Sequence, residues 1–251
     1  MGHTPGLAPP PIRAWFPTFL VIATAILSLP DNSATRVFTW PWFPLAQLVF
    51  ILPLFYLLAQ SLSGKRTVTI NGPLAIGMIV FGIGSFFSAV HSDYRYLSIP
   101  FSAPYLFLTA TYFALRSWAN DGQNENRSAK VVALGRWLGM FMALVILTSF
   151  AQWWLNDLIP ALKSGIPLKA TFRNGHPFGH SNYTAGFATL SLSWLVALAW
   201  RSRRFERIFW AAMAVLAIAL IASTGSRGGV IGLLVSLGLF GALTFWKAPL
   251  S

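Results

Sequence analysis

Thr171-Phe172-Arg173-Asn174-Gly175-His176-Pro177-Phe178-Gly179-His180-Ser181-Asn182 and Ser223-Thr224-Gly225-Ser226-Arg227-Gly228-Gly229 are two short polar breaks in an otherwise apolar sequence. Each follows one hydrophobic segment and opens the next, so the chain reads as a series of apolar helices joined at these points. Each break also places an arginine among glycines and small hydroxyl or amide residues beside a helix start. A helix start offers unpaired backbone N–H groups and the positive end of the helix dipole, and together these attract anions. Two such starts on one surface, each with an arginine, point to a site for a phosphorylated ligand.

The sequence around the breaks sets the class. Apolar residues make up 55% and charged residues 10%, which fits an integral membrane protein and excludes an ordinary soluble domain. Hydrophobic runs at about 15–29, 43–60, 73–90, 99–117, 131–155, 183–200, 208–222 and 229–246 predict an all-α, polytopic transmembrane bundle of about eight helices. Trp40, Trp42, Trp153 and Trp154 mark interfaces. Gly77, Gly82 and Gly84 permit close helix contact in the third run. Residues 1–14, rich in Pro and Gly, read as a disordered cytoplasmic N-terminus, and 15–251 as one transmembrane domain. No small-residue cleavage site follows the first run, so it reads as an anchor and not as a signal peptide. The chain has no Cys, which excludes disulfides and thiolate metal sites.

A net charge of +12 raises the question of nucleic acid, but the basic residues sit in short loops between apolar runs, so membrane topology explains them and no nucleic-acid partner is expected. Twelve lie on one side: Arg13, Lys65, Arg66, Arg116, Arg127, Lys130, Arg136, Arg201, Arg203, Arg204, Arg207 and Lys247. Six lie on the other: Arg36, Arg95, Lys163, Lys169, Arg173 and Arg227. The positive-inside rule puts the first set and both termini in the cytoplasm. Both polar breaks then lie outside, and the sixth and eighth helices point their positive ends there.

The succession Arg173, Gly175, His180, Asn182, Ala185, then an apolar helix, a basic turn, another helix and Thr224-Gly225-Ser226-Arg227-Gly228-Gly229, resembles the O-antigen ligase/polymerase superfamily. Only residues 171–190 and 220–235 carry the resemblance specifically. It implies a multi-pass protein of the bacterial inner membrane with a C-type (GT-C-like) glycosyltransferase architecture. It also implies metal-independent transfer, without a cofactor, of a glycan from an undecaprenyl-diphosphate carrier to lipid A core or a growing polysaccharide at the periplasmic face. Arg227 matches the arginine of the family's Ser-Arg-Gly motif. Arg173 matches the arginine ahead of the Gly…Asn turn, and Asn182 the asparagine opening the next helix. Family members continue into a large periplasmic loop that carries an acceptor-activating histidine. The chain is therefore expected to be a truncated, split or divergent member that binds donor without turning it over. His176 and His180 are the histidines that would stand in for the base.

The chemistry is also arguable from the residues alone. Transfer from a lipid diphosphate needs charge stabilisation as the diphosphate leaves and deprotonation of the incoming hydroxyl. Arginine suits the first task, because its planar fork binds phosphate oxygens bidentately and keeps its charge. Arg227, Arg173 and His180 are the candidate catalytic residues. Ser226, Gly228, Gly229, Asn182, His176, Asp93 and Arg95 are candidate substrate-binding residues, with Gly225, Gly228 and Gly229 allowing a diphosphate to approach the backbone. The carboxylates on the outer side are Asp31, Asp93 and Asp157.

Blander readings compete. Arg227 at a hairpin snorkels to lipid headgroups, Arg173 is solvated, the histidines pack their loop, and Asp93 pairs with Arg95 at a helix end. Asn182, with Ser181, is most simply the N-cap of the sixth helix. A transporter, including an inorganic-carbon type, and a non-catalytic scaffold are the alternative functions. Coupled carriers usually keep ionisable groups inside their spans, and no Asp, Glu, Lys or Arg lies deep in any of the eight runs.

Overall fold

The computed structural model describes residues 11–36, 38–62, 70, 72–120, 127–165 and 173–246. They are all-helical, with no strand among the described residues. In order, the elements are α1 (Pro11–Ser28), α2 (Ser33–Arg36), α3 (Trp42–Leu62), α4 (Pro73–Val90), α5 (Arg95–Asn120) and α6 (Arg127–Trp153). A π-helical turn (Trp154–Leu158) leads into α7 (Ile159–Lys163), followed by α8 (Ser181–Arg201), α9 (Arg204–Thr224) and α10 (Arg227–Trp246). Every expected hydrophobic run falls on a helix. α1 is already helical at Pro11, the first described residue, four residues ahead of the expected start at Trp15. Residues 1–10, most of the stretch read as unstructured, lie outside the described residues, as do Lys65, Arg66, Lys169, Thr171, Phe172 and Lys247.

Among the described residues, five helical segments are long and apolar enough to cross a membrane: Trp42–Leu62, Pro73–Val90, Ala129–Lys163, Ser181–Arg201 and Arg204–Thr224. Phe16–Ser28 and Arg227–Gly238, parts of α1 and α10, are further apolar stretches. α5 covers the fourth expected run yet falls outside the five, since tyrosines, hydroxyl residues and the internal Pro100 and Pro104 lower its hydropathy. The apolar residues do not all turn inward. Phe55, Val80, Leu190 and Leu234 are each more than half exposed, an outer surface compatible with lipid and costly in water.

The chain divides into two compact units. The first holds Met1–Leu20 and Phe43–Leu134. In it Phe16 stacks on Tyr56 with ring centroids 4.2 Å apart, against buried Ala114 and Trp118. Buried Gln60 donates to the Tyr56 hydroxyl over 2.7 Å and accepts from Ser117 Oγ, so its amide is satisfied. α4 and α5 form a hairpin in which Gly82 alone of the three glycines meets its neighbour: a Cβ there would overlap Thr109 Oγ1. Gly77 and Gly84 face open space.

The second unit holds Val21–Trp42 and Gly135–Ser251. Its core joins α6, α8 and α9 through Ala143, Ile146, Leu192, Leu195, Trp210, Leu220 and Ile221. Trp194 Nε1 donates to Gly135 O over 2.9 Å and fixes α8 on α6. The two-residue link Ser202–Arg203 makes α8 and α9 antiparallel neighbours, and α10 returns against α8. The polar breaks therefore sit together at one end of this unit.

Candidate functional site

The turn between α9 and α10 is built from its own hydroxyls. Gly225 ends α9 in the left-handed conformation at φ 58°, which only glycine adopts without cost. Thr224 Oγ1 accepts from Ser226 N over 3.2 Å. Ser226 precedes the first residue of α10, and its Oγ accepts from Gly229 N over 3.1 Å, which makes it the N-cap. The same hydroxyl donates to Asn182 Oδ1 over 3.0 Å, linking the first turns of α10 and α8.

The loop 173–180 lies on that turn. Asn174 is fully buried, and its N–H donates to Ser223 O over 3.0 Å. Its side-chain oxygen accepts from His176 N over 3.0 Å and from Ser149 Oγ over 3.3 Å. Ser149 Oγ also lies against His176 O. Thr184, fully buried in α8, donates to Gly175 O over 2.8 Å. With Asn174 pinned, the exposed Arg173 stretches across Gly225: a Cβ at 225 would lie 3.4 Å from Arg173 Nε and 3.5 Å from its Cγ. The two arginine-bearing breaks thus meet, with Arg173 over the turn and exposed Arg227 opening α10 two residues later.

Three residues beyond Arg173, His176 sits between two carboxylates. Its Nδ1 is 2.6 Å from Asp31 Oδ1 and its Nε2 is 3.1 Å from Asp157 Oδ2. Both ring nitrogens are thus engaged by carboxylate oxygens, and neither is left aimed at a substrate. The His176 side chain is 13% exposed, against 31% for Asp31 and 34% for Asp157, so the carboxylates and not the imidazole face the surroundings. Ser33 N donates to Pro177 O over 2.9 Å, which holds the Asp31 segment on the loop, and Gln152 Nε2 of α6 donates to Leu29 O over 2.9 Å, which ties it to α6. Asp31 Oδ1 also accepts from Asn32 N over 2.9 Å, whereas Asp157 Oδ1 has no hydrogen bond among the described residues.

The remaining candidate residues separate by role. His180, and neither Ser181 nor Asn182, is the N-cap of α8, its Nδ1 accepting from Asn182 N over 3.2 Å. The imidazole nitrogen replaces the expected side-chain oxygen because His180 keeps the extended backbone a cap needs, at φ −146°. With Nδ1 accepting, the neutral ring carries its proton on Nε2 and is a donor. Gly229 is required for helix packing, since a Cβ there would come 2.7 Å from Ala185 Cβ, whereas at Gly228 the nearest atom is Ser226 Oγ at 3.8 Å. Gly228 is exposed and is the position open to a ligand. Asp93 and Arg95 belong to the other unit. Both are exposed, no ion pair joins them among the described residues, and Arg95 lies over the Tyr96 ring at 5.5 Å.

The sequence reading placed Asp31 and Asp157 on the outer side without connecting them to His176. Among the described residues no group of three or more His, Cys, Asp or Glu is arranged to hold a metal ion. The site therefore has a basic pole, Arg173 and Arg227 at a helix start, and an acidic pole, Asp31 and Asp157 about His176. Three residues of chain span at most about 11 Å, so Arg173 and His176 keep the two poles neighbours.

No protein-family model, no curated protein and no solved structure matches the chain. The functional reading rests on the site.

Proposed function

We propose that the chain is a multi-pass protein of a bacterial plasma membrane, crossing it eight times with both termini inside, and that it is a metal-independent glycosyltransferase of GT-C-like architecture. It acts as an O-antigen ligase or polymerase does, moving a glycan from an undecaprenyl-diphosphate carrier to a hydroxyl of lipid A core or a growing polysaccharide. The observation that carries the reading is the union of the two poles: the loop that lays Arg173 across Gly225 also seats His176 between Asp31 and Asp157. The twelve-to-six division of basic residues supports an outer, periplasmic position for both poles. The 35-residue run Ala129–Lys163 is about 52 Å long against about 30 Å of bilayer core, which gives Asp157 a place beyond the apolar layer.

Arg173, Arg227 and the first amides of α10 hold the diphosphate, and Gly228 lets it reach the backbone. Asp157 Oδ1, and not a histidine of a further loop, takes the proton of the acceptor hydroxyl, so the chain turns over the donor it was expected only to bind. The acceptor oxygen bonds to the anomeric carbon as the bond from that carbon to the diphosphate oxygen breaks. The departing negative charge is met by the two guanidinium groups, whose donors are already placed. His176 holds both carboxylates in position, as an orienting partner does in other acid–base sites.

Glycan transfer in a strain lacking the native gene, complemented with the parent protein, tests this. Arg227→Lys keeps the charge but loses the fork, so transfer falls to a small fraction. Near-normal transfer by Arg227→Lys would mean that Arg227 serves lipid headgroups.

A further inference from the structure

At the end of the second unit away from the two poles lies an apolar groove of about 750 Å³ between α8, α9 and α10. Its size is within the range of ligand-holding clefts, about 300–1,000 Å³. Val196, Trp200, Val215, Ile218 and Leu237 line it, with alanines of α8 and α9 beside them, and Arg207 is its one charged lining residue among the described residues. The Arg207 Nε donates to Ser202 O over 3.1 Å, which anchors the side chain at the turn between α8 and α9. Exposed Arg201, Arg203 and Arg204 share that turn. The acid beside them does not offset the charge, because Glu206 is held by Arg136 at 3.0 Å and by Trp210 Nε1 at 3.2 Å.

We propose that this groove binds an anionic diacyl phospholipid, one acyl chain lying along α8 and α9 and the phosphate seated on Arg207 and its neighbouring arginines. The lining suits a chain without polar groups, since an extended peptide would leave its backbone donors and acceptors unpaired there. Charge complementarity selects the headgroup, because a cluster of basic residues beside a transmembrane segment favours anionic lipid. The proposal needs the chain to sit in a membrane and is independent of the transferase reading.

The test uses the full chain reconstituted with equimolar phosphatidylglycerol and phosphatidylcholine, released into mild detergent, with bound lipid counted by native mass spectrometry. The wild type retains phosphatidylglycerol preferentially. Arg207→Ala lowers that retention by about fivefold, from about 1 kcal/mol per basic residue. Ala211→Phe, at an exposed position of the groove, lowers retention of both lipids. Arg207→Lys keeps most of the preference and serves as the folded control. Equal retention of the two lipids by the wild type, or unchanged retention in both Arg207→Ala and Ala211→Phe, would overturn the proposal. So would displacement of the lipid by inorganic phosphate alone, which would mark an anion site without acyl recognition.

Discussion

Ser226 Oγ donates to Asn182 Oδ1 over 3.0 Å while it accepts from Gly229 N over 3.1 Å, so one hydroxyl caps α10 and fastens it to α8. Ser226 is buried at 3% exposure. Ser226→Ala should destabilise the protein by about 1–2 kcal/mol, the loss of a cap and of a hydrogen bond. Asn182→Ala should remove only the second part, and the double variant should fall short of the sum of the two. Thermal unfolding of the four proteins in detergent measures this, and strict additivity would mean that the contact contributes nothing.

Adjacent glycines at the start of α10 should respond in opposite ways. Gly229→Ala places a methyl 2.7 Å from Ala185 Cβ and should cost about 1–3 kcal/mol of stability. Gly228→Ala meets nothing nearer than 3.8 Å and should be neutral or stabilise by up to about 1 kcal/mol. Adding Ala185→Gly, itself costly by about 1 kcal/mol inside α8, should relieve the clash and so cost less in the first variant than in the second. Gly228→Val, tolerated by the fold, should still lower donor binding by filling the ligand's approach.

Removing the imidazole leaves two carboxylates facing each other across its place. His176→Ala should cost about 1–3 kcal/mol, as charge-assisted hydrogen bonds do. Asp157→Asn should retain more stability than His176→Ala, yet lower glycan transfer about 10²–10⁴-fold with donor binding intact. Full transfer by Asp157→Asn, with donor bound, would move the base elsewhere, and Asp31 would be the next to test.

The sidedness is open to direct labelling, since the chain has no native cysteine. Ser164 and Phe205 are exposed, Phe205 by 86%, whereas Ser202 is buried at 5% and unsuitable. An impermeant thiol reagent on intact cells should label Ser164→Cys and spare Phe205→Cys. The reverse pattern would place both poles inside.

The helices were legible because hydrophobicity persists over their whole length. The third run coincides with α4, and the sixth and eighth differ from α8 and α10 by two residues at their starts. The meeting of the two breaks also followed, in outline, from counting helices between them. The residues that complete the site did not. Asp31, Asp157 and His176 come together across 145 and 19 residues of sequence, and no periodicity links a carboxylate at a helix end to a histidine in a distant loop. The cap of α8 was missed for a related reason: Ser181 and Asn182 are the preferred residue types, but backbone conformation gave the place to His180. The three glycines of the second break looked alike in sequence, and only their neighbours separate a turn (Gly225), an open face (Gly228) and a helix contact (Gly229).

The central claim is that Arg173 and Arg227 form one anion site for a lipid diphosphate, and equilibrium binding of an undecaprenyl-diphosphate analogue to the purified chain tests it most directly. The account predicts that Arg173→Ala and Arg227→Ala each weaken binding about 10–100-fold, as loss of charge-assisted hydrogen bonds worth about 1.5–3 kcal/mol would. It also predicts that the double variant falls short of the sum, because both side chains serve one ligand group. Unchanged affinity in either single variant would contradict it.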